Sequence, residues 1–307
     1  MSRVVITGAT GTIGHALTEQ LIARGDEVIA LSRDPGRARQ ALGAEVEAHA
    51  WERPTETAPP SEALAGADAV VHLLGEPIAQ RWSEDAKRRI RESRVLSTRE
   101  LVGALRELPQ ERRPGALVAQ SATGFYGSSD ERELDEQAPP GHDFLAGVVQ
   151  EWEHEARQAE PLMRVTRTRT GVVLSARGGA LQTMLPFFRA GIGGPVAGGK
   201  QYLPWIHLDD VVTGLAFTLD TPAAEGPLNL SAPNPVTNAE FSAALGHALH
   251  RPAVLPVPGF ALRALYGEMA QVVTTGQRAL PRRLLELGFE FEHPLVEPAL
   301  RDVLAGA

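Results

Sequence analysis

A chain of 307 residues can bury a sizeable core and suits one large domain or two. Its net charge of -8 argues against a surface that tracks nucleic-acid phosphates, and the absence of cysteine removes disulfides, thiolate nucleophiles and cysteine-bound metals together. Met1-Ser2-Arg3 runs directly into an apolar segment with no signal-peptide pattern, and no apolar run approaches the roughly 18 residues that span a bilayer, so a soluble cytoplasmic protein with neither nucleic acid nor membrane as partner is expected.

The apolar pattern then alternates between strand and helix. A strand over 4–7 precedes a helix whose Ile13, Leu17 and Leu21 recur every fourth position, closed by Arg24-Gly25, a cation and a glycine suited to a helix end. A second strand covers 28–31. A proline-rich loop over 53–60 leads to a third over 69–74. Further strands are predicted over 116–120 and 165–174, with helices over 85–108 and 144–159 between them. Such β-α alternation predicts an α/β fold with a doubly wound parallel sheet of the Rossmann type. After Leu174 the texture changes: glycines at 178–179, 191–194 and 198–199 interrupt the pattern, and proline-punctuated helices dominate from Ser231 onward. The expected division is a dinucleotide-binding domain over 1–176 and 203–231, with a smaller, mainly helical substrate-side domain over 177–202 and 232–307.

The loop after the first strand carries Gly8, Thr10, Gly11, Thr12, Ile13 and Gly14. Gly8 suits the tight turn, Gly11 the close approach of a pyrophosphate, and Gly14 close packing of helix on sheet, with free amides at the helix start aimed at the phosphates. The spacing is Gly-x-x-Gly-x-x-Gly. The second strand ends in Ser32-Arg33, where an NAD site would place an acid to bond the ribose 2′-hydroxyl, so NADP(H) is favoured. The alternative, in which Arg33 only solvates a loop and Asp34 serves the ribose, remains open in the sequence.

Gly8 to Gly14, His72-Leu73-Leu74-Gly75-Glu76-Pro77-Ile78, Ser121-Ala122-Thr123-Gly124-Phe125-Tyr126-Gly127, Arg169-Thr170-Gly171-Val172-Val173-Leu174 and Trp205-Ile206-His207-Leu208-Asp209-Asp210 follow one another along the chain. Together they resemble the short-chain dehydrogenase/reductase superfamily, and more narrowly its atypical branch of epimerase family proteins, similar to nucleotide-sugar epimerases. The resemblance runs nearly end to end and includes Thr275-Gly276-Gln277-Arg278-Ala279-Leu280-Pro281, in what that branch carries as a C-terminal domain of unknown function. It implies that Leu73, Leu74 and Gly75 line the adenosine pocket with Glu76 beside them, that Arg94 reaches the cofactor from its helix, and that Val173 lies beside the nicotinamide.

Superfamily members that perform chemistry use a Tyr-x-x-x-Lys pair on one helix face, where the ammonium lowers the pKa of the phenol and a nearby Ser polarises the reacting oxygen. Ser121 matches that Ser. The pair itself is absent: Phe144 and Val148 stand in the two positions, and arginine outnumbers lysine 28 to 2, leaving only Lys87 and Lys200. Tyr126 is the substitute proton donor nearest Ser121 in sequence. His207, Glu76, His142 and Asp143 are weaker candidates, with solvation, packing or helix capping as the competing roles. No spacing of His, Asp and Glu indicates a metal site. Two functions survive: an NADP(H)-dependent oxidoreductase or epimerase acting on a small carbonyl or sugar-type molecule, with proton transfer through Ser121, Tyr126 or water, and a non-catalytic NADP(H)-binding regulator. The amphipathic helices over 85–108 and 144–159 imply, by the same resemblance, a homodimer.

Overall fold

The computed structural model describes residues 1–129 and 131–306. Its centre is a seven-stranded sheet, all of whose pairs are parallel, built from β1 (Arg3–Thr7), β2 (Glu27–Ser32), β3 (Glu47–Ala50), β4 (Ala69–His72), β5 (Ala116–Ala122), β7 (Arg164–Thr170) and β11 (Gly226–Leu230), where β6 (Glu133–Leu134), β8 (Val172–Leu174), β9 (Tyr202–Leu203) and β10 (Trp205–His207) are short strands outside it. The strand order is β11-β7-β5-β4-β1-β2-β3. Two further short strands, β12 (Val236–Thr237) and β13 (Arg278–Ala279), pair with β9 and β6.

Continuous apolar runs such as Val4-Val5-Ile6 form these strands because helices cover both faces of a parallel sheet. On one face, Val4, Ile6, Val28 and Val118 pack against α1 (Thr12–Ala23) through Leu17 and Leu21 and against α7 (Leu208–Asp220) through Val211 and Leu215. On the other, Val5, Ile29, Val70 and Leu117 meet α3 (Ser61–Leu64), Leu101 and Leu105 of α4 (Glu84–Glu107), and Ala156 of α5 (Phe144–Arg157). The connection between β2 and β3 is α2 (Pro35–Leu42).

A second core lies beyond the sheet. Leu181, Leu185 and Phe188 of α6 (Gly179–Arg189), Phe241 and Leu245 of α8 (Asn238–Leu249), and Leu300 and Val303 of α12 (Val296–Ala305) surround Leu174 and Trp205. Three short helices, α9 (Gly259–Tyr266), α10 (Ala270–Thr274) and α11 (Arg282–Glu286), complete the C-terminal region.

The structure differs from the sequence expectation in four strands, one of which, β11, forms an edge of the main sheet where no strand was expected. The strand over 165–174 divides at Gly171, whose amide bonds the Leu230 carbonyl while Val172 turns to the Pro204 carbonyl, so that β8 leaves the main sheet and pairs with β10. The strand over 69–74 stops at His72, and Leu73 and Leu74 lie outside any strand beyond its carboxyl end. β3, with the sequence Glu-Ala-His-Ala, lies at the margin of the sheet and carries no apolar run to reveal it.

A Cβ on Gly171 would stand 2.1 Å from the Pro204 carbonyl oxygen. Gly171→Ala is expected to destabilise the fold by about 1–3 kcal/mol through backbone displacement. Urea unfolding monitored by circular dichroism measures it.

Candidate cofactor and catalytic site

The carboxyl edge of β1 turns through Gly8, whose φ of +69° suits a residue without a Cβ. The Gly11 amide donates to the Gly8 carbonyl at 3.0 Å. At Gly14 a Cβ would sit 2.3 Å from that same oxygen, so only glycine lets α1 approach this closely. Gly11 is the N-cap of α1, offers no side-chain cap, and no acid occupies the first turn. The amides of Thr12 and Ile13 therefore keep their partial positive charge for an anion at the helix start. Thr10 and Gly11 form the exposed crest of this cradle, with Thr12 and Ile13 half-buried beneath. The 177–179 turn crosses above it, since a Cβ on Gly178 would lie 2.7 Å from the Thr12 hydroxyl.

At the end of β2 the two readings of the cofactor are separated by a helix cap. Asp34 accepts the Arg37 amide at 3.0 Å as the N-cap of α2, with Pro35 in the first helical position, while its own backbone is held by the Ser32 hydroxyl. That carboxylate is engaged. Arg33 is exposed and makes no ion pair among the described residues, leaving its guanidinium beside Ser32 for a second anion.

The segment after β4 is fixed from beneath by His72. Thr7 Oγ1 accepts the Leu73 amide at 3.0 Å and lies 2.8 Å from His72 Nδ1, whereas Ser97 Oγ gives its proton to the Ser93 carbonyl and lies 3.3 Å from Nε2. The consistent assignment gives His72 a neutral ring with its proton on Nε2. Full burial pushes its pKa down to about 3. Above this support, Gly75 lies against the Arg94 guanidinium, whose Nη1 donates to the carbonyls of Glu76 and Ile90, both at 3.0 Å. Arg94 stands over the Trp152 ring at 5.4 Å, and burial pushes its pKa down to about 10, so it stays cationic at neutral pH. The Glu76 amide is anchored on Ser93 Oγ, and its carboxylate lies 3.5 Å from Arg89.

Ser121 and Tyr126 belong to one buried polar network. Ser121 Oγ donates to Glu153 Oε1 at 2.7 Å, and Arg169 clamps the same carboxylate through Nε at 2.7 Å and Nη2 at 3.0 Å. Arg169 Nη1 reaches the Tyr126 hydroxyl at 3.0 Å, and that hydroxyl gives its proton to Asn229 Oδ1 at 2.6 Å. Asn229 in turn donates to the carbonyls of Leu134 and Leu280. Burial outweighs the neighbouring Arg169 cation and raises the Tyr126 pKa to about 12. The phenol thus holds its proton at neutral pH and directs it into the protein. Glu153, Asn229 and Glu136, the last bonded to the Asn229 and Arg283 amides, were not singled out in the sequence. Glu153 lies on an amphipathic helix among charged neighbours, where an acid reads as solvated.

Phe144 begins α5 after the Asp143 N-cap, packs edge-on against Trp82 at 5.2 Å, and lies 5.6 Å below the Lys87 ammonium. An ammonium does stand over the aromatic ring in the phenol position, but the ring has no hydroxyl, and Lys87 is paired with Glu268. Val148 is buried. Val173 packs against the main core at the start of the second region.

His207 sits away from this network. Its Nδ1 accepts the Asp209 amide as the N-cap of α7, and its ring stacks on His293 with centroids 3.8 Å apart. Asp209 and Asp302 bring the cluster to four groups that share a small volume, a convergence invisible in spacing because it joins residues 207–209 to 293 and 302. With Nδ1 accepting, Nε2 carries the proton and faces Asp302 Oδ2 at 3.3 Å.

Residues 4–230 match the family described as NAD dependent epimerase/dehydratase family, and residues 257–303 match a domain of unknown function, DUF1731. The chain is 42% identical over 308 residues to the Arabidopsis thaliana epimerase family protein SDR39U1 homolog, chloroplastic, covering 98% of this chain and 86% of that one. The human epimerase family protein SDR39U1 (isoform 2), solved with NADPH, is 36% identical and superposes with a TM-score of 0.89 over 99% of this chain and all of that one. UDP-glucuronic acid 4-epimerase from Bacillus cereus, solved with NAD, superposes at 0.78 over 99% of both chains with 15% identity, a likeness of fold alone.

Two outcomes follow from this geometry. Glu153→Gln leaves Arg169 buried without its counter-charge and is expected to cost about 3–5 kcal/mol in chemical denaturation. His72 has a folded pKa of about 3, below its unfolded value of roughly 6.5, so the folded state binds fewer protons between those limits. Its stabilising contribution is complete above about pH 6.5 and is lost as pH falls toward 3. Between pH 6 and 4 the parent should lose about 1 kcal/mol per pH unit more than His72→Gln, measured by urea midpoints across that range.

Proposed function

We propose that this chain, which belongs to the NAD dependent epimerase/dehydratase family, binds NADP(H) along the carboxyl edge of its sheet and reduces a small carbonyl or sugar-type compound. The observation that carries the cofactor choice is the pair formed by Arg33 and Asp34: the only acid beside the strand end is engaged as a helix cap, and the neighbouring cation is unpaired among the described residues. The Gly8–Gly14 cradle fits a pyrophosphate, Leu73, Leu74, Gly75 and Glu76 fit the adenosine edge, Arg94 supports that edge with a retained positive charge, and Val173 is assigned to the nicotinamide side.

NADPH, when bound, supplies a hydride. The chain then has to hold the receiving oxygen and provide for its proton. Ser121 is the hydroxyl suited to orient that oxygen, because turning away from Glu153 leaves the carboxylate still bonded by Arg169. Tyr126 is best cast as a positioning residue, since its proton is directed to Asn229 and its pKa lies near 12. The proton is then drawn from water, which favours reduction over alcohol oxidation, where a built-in base is needed first. We also assign a homodimer joined through the outer faces of α4 and α5.

A second reading is a non-catalytic NADP(H)-binding regulator. It is favoured by the engagement of both the Ser121 and Tyr126 protons within the protein and by Phe144 in the phenol position.

Calorimetric titration should show NADPH binding at least about tenfold tighter than NADH, a preference that collapses in Arg33→Ala. Equal affinities in the parent would remove the Arg33 assignment. In a panel of aldehydes, ketones and keto-sugars, Ser121→Ala should lower NADPH consumption about 100-fold, whereas Tyr126→Phe should lower the melting temperature more than kcat. Tight NADPH binding with no consumption by any substrate would transfer the assignment to the regulator.

A further inference from the structure

The edge where α9 meets the segment leading into α4, through Arg81 on the Ala264 and Leu265 carbonyls, carries a feature that cofactor binding does not explain. Residues 194–197 and 255–257 run side by side: Val196 bridges Val257, the Val257 amide donates to the Pro195 carbonyl at 2.9 Å, and a Cβ on Gly194 would stand 2.1 Å from the Leu255 carbonyl oxygen. This joins the end of α6 to the segment leading into α9. Along the joined edge Phe260 is 78% exposed, Val254 76%, Phe187 and Ile192 54% each, and Leu255 49%. α9 buries none of its residues, although a helix this short is not stable alone in water.

The two segments that carry these side chains hold charge of one sign only. The chain has 38 acidic residues and a net charge of -8, yet neither 178–208 nor 241–267 contains an Asp or Glu. Arg189, Lys200, Arg251 and Arg263 are exposed in those segments and make no ion pair among the described residues. The flanking acids are engaged, Glu240 in the capping box of α8 and both Glu268 and Glu84 with Lys87.

From this combination we propose that the edge formed by α6, the 190–200 loop and α9 seats the protein on an anionic phospholipid bilayer, an interaction beyond the proposed redox function. The large apolar side chains enter the interfacial zone and the four cations meet lipid phosphates, with no spanning helix required. A second copy of the chain fits less well, because a two-fold interface would set the same unpaired cations against one another.

The test is co-sedimentation of the full chain with vesicles made of equal parts phosphatidylglycerol and phosphatidylcholine, against pure phosphatidylcholine, at low and high salt. The expected result is partition onto the anionic vesicles, weakened about tenfold by high salt and by either Val254→Ser/Phe260→Ser or Arg251→Gln/Arg263→Gln. Unchanged thermal melting of both variants shows that the loss is at the surface and not in the fold. Failure of the parent to sediment with anionic vesicles, or equal sedimentation of parent and variants, overturns the proposal. So does a parent that ignores vesicles but whose dimer, in light scattering, is dissociated by Val254→Ser/Phe260→Ser, which assigns the edge to self-association.

Discussion

Arg169 holds together the elements on which the site depends. Its guanidinium is almost wholly buried, with Glu153 equally buried opposite, and desolvating two charges is recovered only when nearly every donor and acceptor is matched. Here the matching is extensive. Nε and Nη2 grip the carboxylate, Nη1 serves both the Tyr126 hydroxyl and the Glu136 carbonyl, and the planar group stacks 3.5 Å from the Phe125 ring centre. The pair joins β7 to α5, Ser121 adds β5, and Asn229 carries the connection to β11 and the 280 region. A pair of this type adds modest net stability, but it makes one arrangement of these five segments far better satisfied than any shifted one. Lysine could not replace arginine here, because a single ammonium lacks the fork that serves a carboxylate and a phenol at once.

The electrostatics divide along the same line. At the carboxyl edge of the sheet the positive contributions are the start of α1, Arg33 and the buried Arg94, with no acid in the first turn of α1 and Asp34 turned to its own helix. His72 beneath that edge stays neutral, so the support of Leu73 and Gly75 adds no charge of its own to the pocket. At the start of α5, Trp82, Phe144 and Met269 form an apolar cluster that draws the start of α10 toward α4. The site is therefore strongly shaped for an anionic cofactor and weakly equipped for proton transfer.

The parts of this arrangement that were legible in the sequence depend on local geometry. Gly8, Gly11 and Gly14 are read from spacing because Gly11 and Gly14 answer to the Gly8 carbonyl within the same turn and Gly8 to its own positive φ, and the sheet is read from apolar runs that both faces require. The break at Gly171 was not legible, since its cause is the Pro204 carbonyl, more than thirty positions away. Glu153 and Asn229 were missed for the same reason: an acid in an amphipathic helix and an amide in a short strand have solvated roles by default, and only folding brings them to Arg169. Tyr126 shows the converse, a residue whose type and position suggested proton donation but whose tertiary partners take the proton inward. Arg33 and Asp34 lay between these cases, because both residues were visible in the sequence and only the folded chain shows Asp34 Oδ1 accepting the Arg37 amide as a helix cap.

The short strand β8 is a party wall. Its successive side chains face opposite directions, so Val173 packs with the core of the main sheet while Leu174 belongs to the second core with Trp205, Phe241 and Leu300. Having left the main sheet at Gly171, this strand is tied to β10 and thereby to the C-terminal helices. A dinucleotide leaning on Val173 would therefore press on the packing of both halves at once. In thermodynamic terms the free energy of occupying one pocket would be shared with the order of a helical C-terminal region whose residues need not touch the ligand, and loosening of that region would be felt as a weaker grip at the sheet edge.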